Sequence, residues 1–188
     1  MLFTDWTLLR LFPPLRAAWA PVGTTTEVLI TGRNAKVVLF GAISLTTGHR
    51  VLAARARAAG ADARAFLLEL RRRYRGRGTL WLLADRATGH TDRQTQALAE
   101  RLDIRFVWLP TQASELNAMD QLWRELKAVI AANRQAPTIA ALAASAQLWV
   151  LMLSPTEARR KAGLLSPHFC SAICSKTFVH LLSLRFVP

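Results

Sequence analysis

Apolar residues in the first part of the chain form short runs that are typical of β-strands. The run at 2–12 is rich in apolar and β-favouring residues until two consecutive prolines end it. Two more strand candidates, 27–31 and 36–45, are separated by the turn-forming segment GRNA. A TTGH turn then leads into a short apolar segment that begins at Arg50. These elements predict an antiparallel meander.

The apolar spacing changes to that of a helix at Asp62, and the helical pattern ends in GRG at 76–78. The continuous apolar run at 79–84 has strand length and is typical of a strand buried on both faces. A helical segment at 91–103, which we expect Thr91 to cap, precedes another strand candidate at 104–110. This alternation predicts a parallel α/β unit with a right-handed crossover.

The last part of the chain is helical. Two helices are predicted at about 118–133 and 138–153, and a short one begins at Pro155 with a capping-box glutamate. The longest weakly polar stretch is shorter than a membrane span, so it predicts a buried helix. We expect residues 1–168 to form one domain and residues 169–188 to be an appended tail.

Composition is that of one globular domain. A chain of 188 residues with 52% hydrophobic composition is long enough to bury a core. The two cysteines do not suggest a disulfide framework, and no signal-peptide pattern is visible, so we expect a cytoplasmic protein that is not embedded in a membrane. Five tryptophans occupy mostly apolar positions and are expected in the core: Trp19, Trp81, Trp108, Trp123 and Trp149.

The formal charge of +13 suggests a polyanionic partner, of which nucleic acid is the commonest. Arginine accounts for 21 of the 25 basic residues, which suits bidentate phosphate contacts but is also the bias of a GC-rich genome. Nine arginines lie between Arg50 and Arg77. Such a density suits the tracking of a DNA backbone, and a solvated helix face is the alternative.

Three aspartates occupy positions where carboxylates bind metal ions. Asp85 ends the apolar run at 79–84, and Asp120 opens a predicted helix 35 positions later. Ligands of α/β sheets lie at such strand ends, and two metal ions that act on a phosphodiester need converging carboxylates. Asp85 also suits a turn and Asp120 a helix cap. Asp5 lies within an apolar strand, where a site or a sheet edge must accommodate it.

Neighbouring polar residues are candidates for accessory roles. His90 follows Asp85 by five positions and could orient a phosphate, act as a general acid, or form a local hydrogen bond. Asn117 is placed to cap the helix that contains Asp120. On that helix Arg124 and Lys127 share a face with Asp120 that could meet phosphate.

Residues 1–168 resemble the DDE superfamily of transposase endonucleases, in the mariner-like branch that includes many bacterial insertion-sequence transposases. Three segments carry the resemblance: LRLFPPLRAAWAPVG at 9–23, which follows the first acid; LLADRATGH at 82–90; and SELNAMDQLWRELK at 114–127. The last segment is the most specific. Its distance from the second acid is also close to that of the family.

The resemblance implies a ribonuclease-H-like α/β fold, with a mixed five-stranded sheet of an antiparallel meander and parallel strands, flanked by helices. It implies that Asp5, Asp85 and Asp120 bind two Mg²⁺ or Mn²⁺ ions. The implied reaction is DNA strand cleavage and strand transfer at transposon ends. The implied partners are double-stranded DNA, both transposon ends and target, a second copy in a homodimer, and a helix-turn-helix module.

Two departures from the family keep a second interpretation open. Trp6 stands where relatives commonly carry glutamate, and the catalytic pattern begins almost at Met1, without the helix-turn-helix modules that relatives place before it. We therefore expect either a catalytic part that works with a separate helix-turn-helix polypeptide or a DNA-binding remnant without catalysis.

Overall fold

The apolar runs form five strands of one sheet in a computed structural model, which describes residues 1–17, 19–24, 27–111, 113–167 and 169. The strands are β1 (Leu2–Arg10), β2 (Lys36–Ser44), β3 (Arg50–Arg55), β4 (Leu80–Ala84) and β5 (Ile104–Trp108). Their order in the sheet is β3-β2-β1-β4-β5. Strands β1 to β3 pair antiparallel, whereas β4 pairs parallel with both β1 and β5. The predicted mixed sheet, a meander followed by parallel strands, is confirmed.

Six helices connect or follow these strands. They are α1 (Gly60–Arg73), α2 (Thr88–Thr91), α3 (Arg93–Arg101), α4 (Ala118–Ile130), α5 (Ile139–Met152) and α6 (Pro155–Lys161), with a 3-10 turn at Ser114–Leu116. The short helix α6 begins with the predicted capping box between Ser154 and Glu157. Helices α4 and α5 pack on one face of the sheet, and α1 and α3 pack on the other.

Side chains of β1 alternate between two hydrophobic cores, as the period of a strand requires. Phe3 and Leu9 join the core beneath α4 and α5, whereas Leu2 joins the core beneath α1 and α3. Asp5 is two positions from Phe3 and therefore faces α4. The central strand of the sheet therefore fixes the position of the first candidate acid.

The pairing register brings distant segments of the chain level with one another. Leu2 and Phe3 of β1 lie beside Leu82 and Leu83 of β4 in parallel, so the two strands are offset by 80 positions in sequence. The same offset, continued along the strands, brings Asp5 level with Asp85.

The segment 27–31, predicted as a strand, does not form one. Strand β2 already pairs with β1 on one side and β3 on the other, so no sheet edge is available beside it. Leu29 is 87% exposed in this segment, which shows that the apolar pattern there does not cover a core.

Three other details of the sequence prediction are wrong. The cap of α3 is Asp92, whose carboxylate accepts a hydrogen bond from the Thr95 amide, because Thr91 ends the short helix α2 before it. Trp19 is 105% exposed, since it lies in the long connection between β1 and β2. Trp81 is also exposed, at 43%.

Among the described residues, no single helix has the length and apolar composition of a membrane span, and one pair, α5 with α6, reaches them jointly across a bend of 110°. The predicted tail at 169–188 lies outside the described residues except for Phe169, whose ring packs 5.8 Å from that of Phe3.

Candidate active site

Asp5 is held at the centre of the sheet. It lies on β1 opposite Gly41 of β2, with β4 on the other side. Its neighbour Thr4 is bound from two directions: its side chain donates to the Gly41 carbonyl at 3.1 Å, and its own carbonyl accepts from Asn117 Nδ2 at 3.2 Å. The backbone around the first acid is therefore fixed by both the sheet and the start of α4.

Asp85 follows the last residue of β4, where the parallel strands diverge. Its Oδ1 accepts hydrogen bonds from the Ala87 amide at 3.3 Å and from the His90 ring at 3.1 Å. The hydrogen bond from His90 is the main reason that the pKa of Asp85 lies below its ordinary value, although partial burial opposes it. This carboxylate is thus ionised and oriented.

Asn117 fixes the start of the helix that carries Asp120. Its Oδ1 caps α4 by accepting from the Met119 amide at 3.1 Å, as predicted, while its Nδ2 reaches β1. Asp120 lies in the first turn of α4, where the helix dipole favours a negative charge. Asn117 is only 3% exposed, so one buried amide links the elements of the first and third acids.

Gly41 allows α4 to approach the sheet closely. A Cβ at this position would lie 2.6 Å from both Met119 Cε and the Trp123 ring. Trp123 is buried and cannot move aside readily, so only glycine fits beneath it. The missing side chain opposite Asp5 is therefore what lets the first turn of α4 lie near the first acid.

The three aspartates line one open cavity of about 440 Å³. Asn117 and Arg86 also line it, together with the residues that connect β5 to α4. The cavity opens where β4 and β5 end, as expected for a ligand site of a parallel sheet. The structure thus brings together the three acids that the sequence singled out.

Burial and the neighbouring acids together raise the pKa of Asp5. Burial, as the largest cause, and the negative charges of Asp85 and Asp120 raise its pKa to about 7, although a hydrogen bond from the Trp6 backbone and the nearby His90 lower it. The site therefore favours a proton, or another cation, at its centre. Without one, an ionised Asp5 is costly.

The donor set fits a magnesium or manganese ion, because these cations prefer carboxylate oxygens and relieve repulsion between acids. Among the described residues, no group of three or more His, Cys, Asp or Glu side chains stands in ligating positions around one point. The outer carboxylates instead turn to protein donors: Asp85 to His90, and Asp120 to Arg124 at 3.2 Å. Rotation of these two side chains would be required for joint ligation.

The accessory candidates divide into two groups. His90, Asn117 and Arg124 each contact one of the aspartates or its supporting backbone. Lys127 does not line this cavity; it lies beside a separate groove with Arg10 and Phe12 at the far end of β1. It is two helical turns beyond Asp120, so the face they share leads away from the acids.

Trp6 lies away from the carboxylates. Its side chain points to the opposite face from Asp5 and packs against the core beneath α1 and α3. The indole therefore fills space in a core and does not take the place of a polar group in the cavity.

Arg86 is a cavity residue that the sequence analysis did not single out. Its guanidinium lies 5.8 Å from the centroid of the Trp108 ring, which stacks in turn on Phe106 at 4.9 Å. A cation held at the rim of an acidic cavity is suited to a phosphate oxygen. Because Arg86 directly follows Asp85 in the sequence, that position could have identified it as a residue near the site.

Comparison with known proteins agrees with this geometry. Residues 1–143 match the family described as DDE superfamily endonuclease. The insertion element IS630 uncharacterized 39 kDa protein of Shigella sonnei is 27% identical over 154 residues, which cover 81% of this chain and 45% of that protein.

The fold is also that of solved transposase structures. The Mos1 transposase paired-end complex with left transposon end superposes with a TM-score of 0.70 at 16% identity, over 94% of this chain and 55% of that one. The catalytic domain of Mos1 mariner transposase gives a TM-score of 0.62 at 13% identity, over 94% of this chain and 81% of that one. The predicted ribonuclease-H-like fold is confirmed. The chain spans about half the length of the full relatives it matches.

Proposed function

The chain belongs to the DDE superfamily of endonucleases, and from this premise we propose that it is the catalytic part of a transposase. The proposed reaction is metal-dependent cleavage of DNA strands at transposon ends, followed by strand transfer. The observation that carries the proposal is the convergence of Asp5, Asp85 and Asp120 on one cavity at the end of the parallel strands. The family and the fold supply the reaction class.

Asp5, Asp85 and Asp120 are the proposed ligands of two Mg²⁺ or Mn²⁺ ions. When bound, such ions would activate the attacking oxygen and neutralise charge on the leaving oxygen of the phosphodiester. Solved Mos1 paired-end complexes have been obtained with Mg and with Mn. The same ions are therefore the first to test.

The other cavity residues have proposed positioning roles. His90 holds the Asp85 carboxylate through its ring nitrogen, and Asn117 fixes the start of α4 relative to β1. Arg86 would contact a non-bridging phosphate oxygen from the rim of the cavity. Arg124 holds the Asp120 carboxylate at 3.2 Å and would release it for ligation.

Double-stranded DNA is the proposed partner, both as transposon end and as target. End-specific cleavage would further require a helix-turn-helix module to read the end and a second copy of the chain to hold the other end. Because bacterial DNA lies in the cytoplasm, the proposal also places the protein there. Light scattering of the chain with and without a transposon-end duplex would test the pairing of two copies.

Nicking of supercoiled plasmid in Mg²⁺ or Mn²⁺ tests the proposed catalysis. We expect Asp85→Asn to lower the rate by about 10³-fold, because loss of one metal ligand removes several kcal/mol of transition-state stabilisation. Asp103→Asn is the matched control, since Asp103 lies exposed before β5, away from this cavity, with a positive φ that asparagine tolerates. Equal activity of Asp85→Asn and the control would overturn the assignment.

The same assay addresses the alternative of a DNA-binding protein without catalysis. That alternative drew on Trp6, whose side chain lies in the core on the other face of the sheet. Metal-dependent nicking by the unmodified chain that is lost in Asp85→Asn would rule the alternative out.

A further inference from the structure

The nine arginines between Arg50 and Arg77 differ in what their guanidinium groups contact. Two form ion pairs within the domain: Arg55 with Glu69 at 3.1 Å, and Arg64 with Asp92 at 2.7 Å. Two more donate to backbone carbonyls and close structural turns. The acceptors are Leu151 and Leu153, at the end of α5, for Arg50, and Tyr74, Arg77 and Gly78 for Arg71.

Four of the remaining arginines form a cluster at the end of α1 and in the turn that follows. Arg72, Arg73, Arg75 and Arg77 are all exposed, and no carboxylate of the described residues forms an ion pair with them. We call these four residues the basic edge. The C-terminal end of α1 favours Arg72 and Arg73 through the helix dipole, but four cations within six positions also repel one another.

A polar cavity of about 500 Å³ opens beside the basic edge. Arg73 and Arg77 line it, together with His49, Tyr74 and the hydroxyl groups of Ser44 and Thr47. Arg73 also lines a neighbouring groove with Arg50 and Arg72, where Glu69 is paired with Arg55, so the exposed cations extend beyond the cavity.

A hydrogen-bond chain arranges the donors of this cavity. Arg73 Nε donates to His49 Nε2 at 3.3 Å, so the ring carries its proton on Nδ1. That nitrogen then donates to the Tyr74 hydroxyl at 2.8 Å, which leaves the phenolic proton for another acceptor. Burial and two neighbouring arginines lower the pKa of His49, while burial raises the pKa of Tyr74. A neutral imidazole and a protonated phenol are therefore both expected at neutral pH.

The basic edge and the carboxylate cavity lie at opposite ends of the same strands. Leu2 and Leu80, at the starts of β1 and β4, line the cavity beside the basic edge, whereas Asp85 follows the end of β4. Asp85 lies five positions after Leu80, which corresponds to roughly 16 Å at about 3.3 Å per residue of strand. One phosphate group cannot contact both.

We propose that the basic edge is a second DNA-binding site, which holds the phosphate backbone of a duplex segment other than the one at the carboxylates. The inference rests on the proposed function only in taking DNA as the partner. Guanidinium groups and a free phenolic proton are donors, and phosphate oxygens are acceptors. The spread of the cations over two adjoining grooves suits a series of phosphates better than a single one.

Salt-dependent binding of a short duplex tests this site. The variant is Arg73→Gln with Arg77→Gln, and the matched control is Arg93→Gln with Arg101→Gln, which removes the same charge from exposed positions of α3. Fluorescence anisotropy is measured over a KCl series in EDTA, so that metal-dependent binding does not contribute. We expect the variant to bind the duplex about 10-fold more weakly. The slope of log Kd plotted against log [KCl] should also fall by about two, because each lost phosphate contact changes this slope by about 0.9.

The control should keep the slope of the unmodified chain. An unchanged slope in the Arg73/Arg77 variant, or a loss no larger than in the control, overturns the proposal. Thermal stabilisation by inorganic phosphate that the variant loses, with duplex binding unaffected, would identify a small-phosphate site and also overturn it.

Failure of this inference can be told apart from failure of the proposed catalysis. At saturating plasmid, the Arg73/Arg77 variant should nick at the rate of the unmodified chain, because neither arginine lines the carboxylate cavity. Conversely, Asp85→Asn should retain the binding affinity and the salt slope. Absence of nicking with an intact salt slope would therefore count against cleavage alone.

Discussion

The two ends of the parallel strands carry opposite charge for different reasons. At one end three aspartates share a cavity, and burial together with their mutual repulsion raises the pKa of Asp5. At the other end four arginines stand exposed without an ion pair among the described residues. The largely buried charge of Asp5 needs a specific ligand, whereas the exposed arginines suit an extended, hydrated partner. The basic edge and the three proposed metal ligands therefore lie on separate surfaces.

Substitution of Asp120 is expected to have the largest effect on the acidic end. Asp120→Asn should reduce metal-dependent nicking by about 10³-fold, since a neutral amide is a poor ligand of hard cations. Asp120→Glu keeps the charge and should retain activity within about 10-fold, because either acid can bind Mg²⁺. Full activity of the asparagine variant would mean that this end of the sheet is acidic without being a metal site.

The raised pKa of Asp5, which burial and the neighbouring acids cause, predicts a pH dependence of stability. Folding raises the pKa of Asp5 from 3.8 to about 7, so the folded state holds a proton that the unfolded state releases between these values. The free energy of unfolding should thus fall as pH rises from about 4 to 7. Asp5→Asn cannot ionise and should be more stable than the unmodified chain above pH 7, by about 2 to 4 kcal/mol at most.

Urea denaturation in EDTA at pH 4.5 and pH 8 measures this difference. The advantage of Asp5→Asn should nearly vanish at the lower pH and shrink at pH 8 when Mg²⁺ is added to the unmodified chain. A variant that is less stable at both pH values would show that Asp5 makes contacts that outweigh its repulsion.

A glycine at each end offers a smaller test. Gly41→Ala should destabilise the fold by about 1 to 3 kcal/mol, because the new methyl group would overlap Met119 and the buried Trp123 ring. Gly78→Ala, near the basic edge, should change stability by less than about 0.5 kcal/mol, since no atom lies within 4 Å of its added Cβ.

Measurement of DNA nicking by the Gly41→Ala chain shows whether the substitution also displaces Asp120. If the substitution shifts α4, activity should fall together with stability, because Asp120 lies in the first turn of that helix. Unchanged stability and activity would show that α4 is not held at this close approach.

The sequence predicted the parts of the fold that depend on local pattern. Apolar runs marked β1, β4 and β5, and Asn117 was identified as the cap of α4, because these signals lie within a few residues. The false strand at 27–31 has the same local pattern. Its residues pair with no strand and leave Leu29 and Ile30 exposed, and both pairing and burial are tertiary properties.

The three aspartates of the candidate site could be predicted from the sequence, but the residues that surround them could not. The motifs around Asp85 and Asp120 carry their spacing in the sequence, whereas the distance of Lys127 from the cavity depends on how α4 crosses the sheet. The sequence also could not show which arginines form ion pairs and which remain exposed. Arg64, for example, finds Asp92 28 positions away, and only the fold reveals which arginines are left exposed.

The position of β1 bears on the order in which the protein can fold. β1 comes first in the sequence but lies third in the sheet, between β2 and β4. A nascent chain could complete the β1–β2–β3 meander from residues 2–55, whereas pairing with β4 must close a loop of about 80 residues. During that interval Asp5 lies beside an unpaired strand edge and has neither of its partner acids. The proposed metal site would thus be completed late in synthesis, after α4 has left the ribosome.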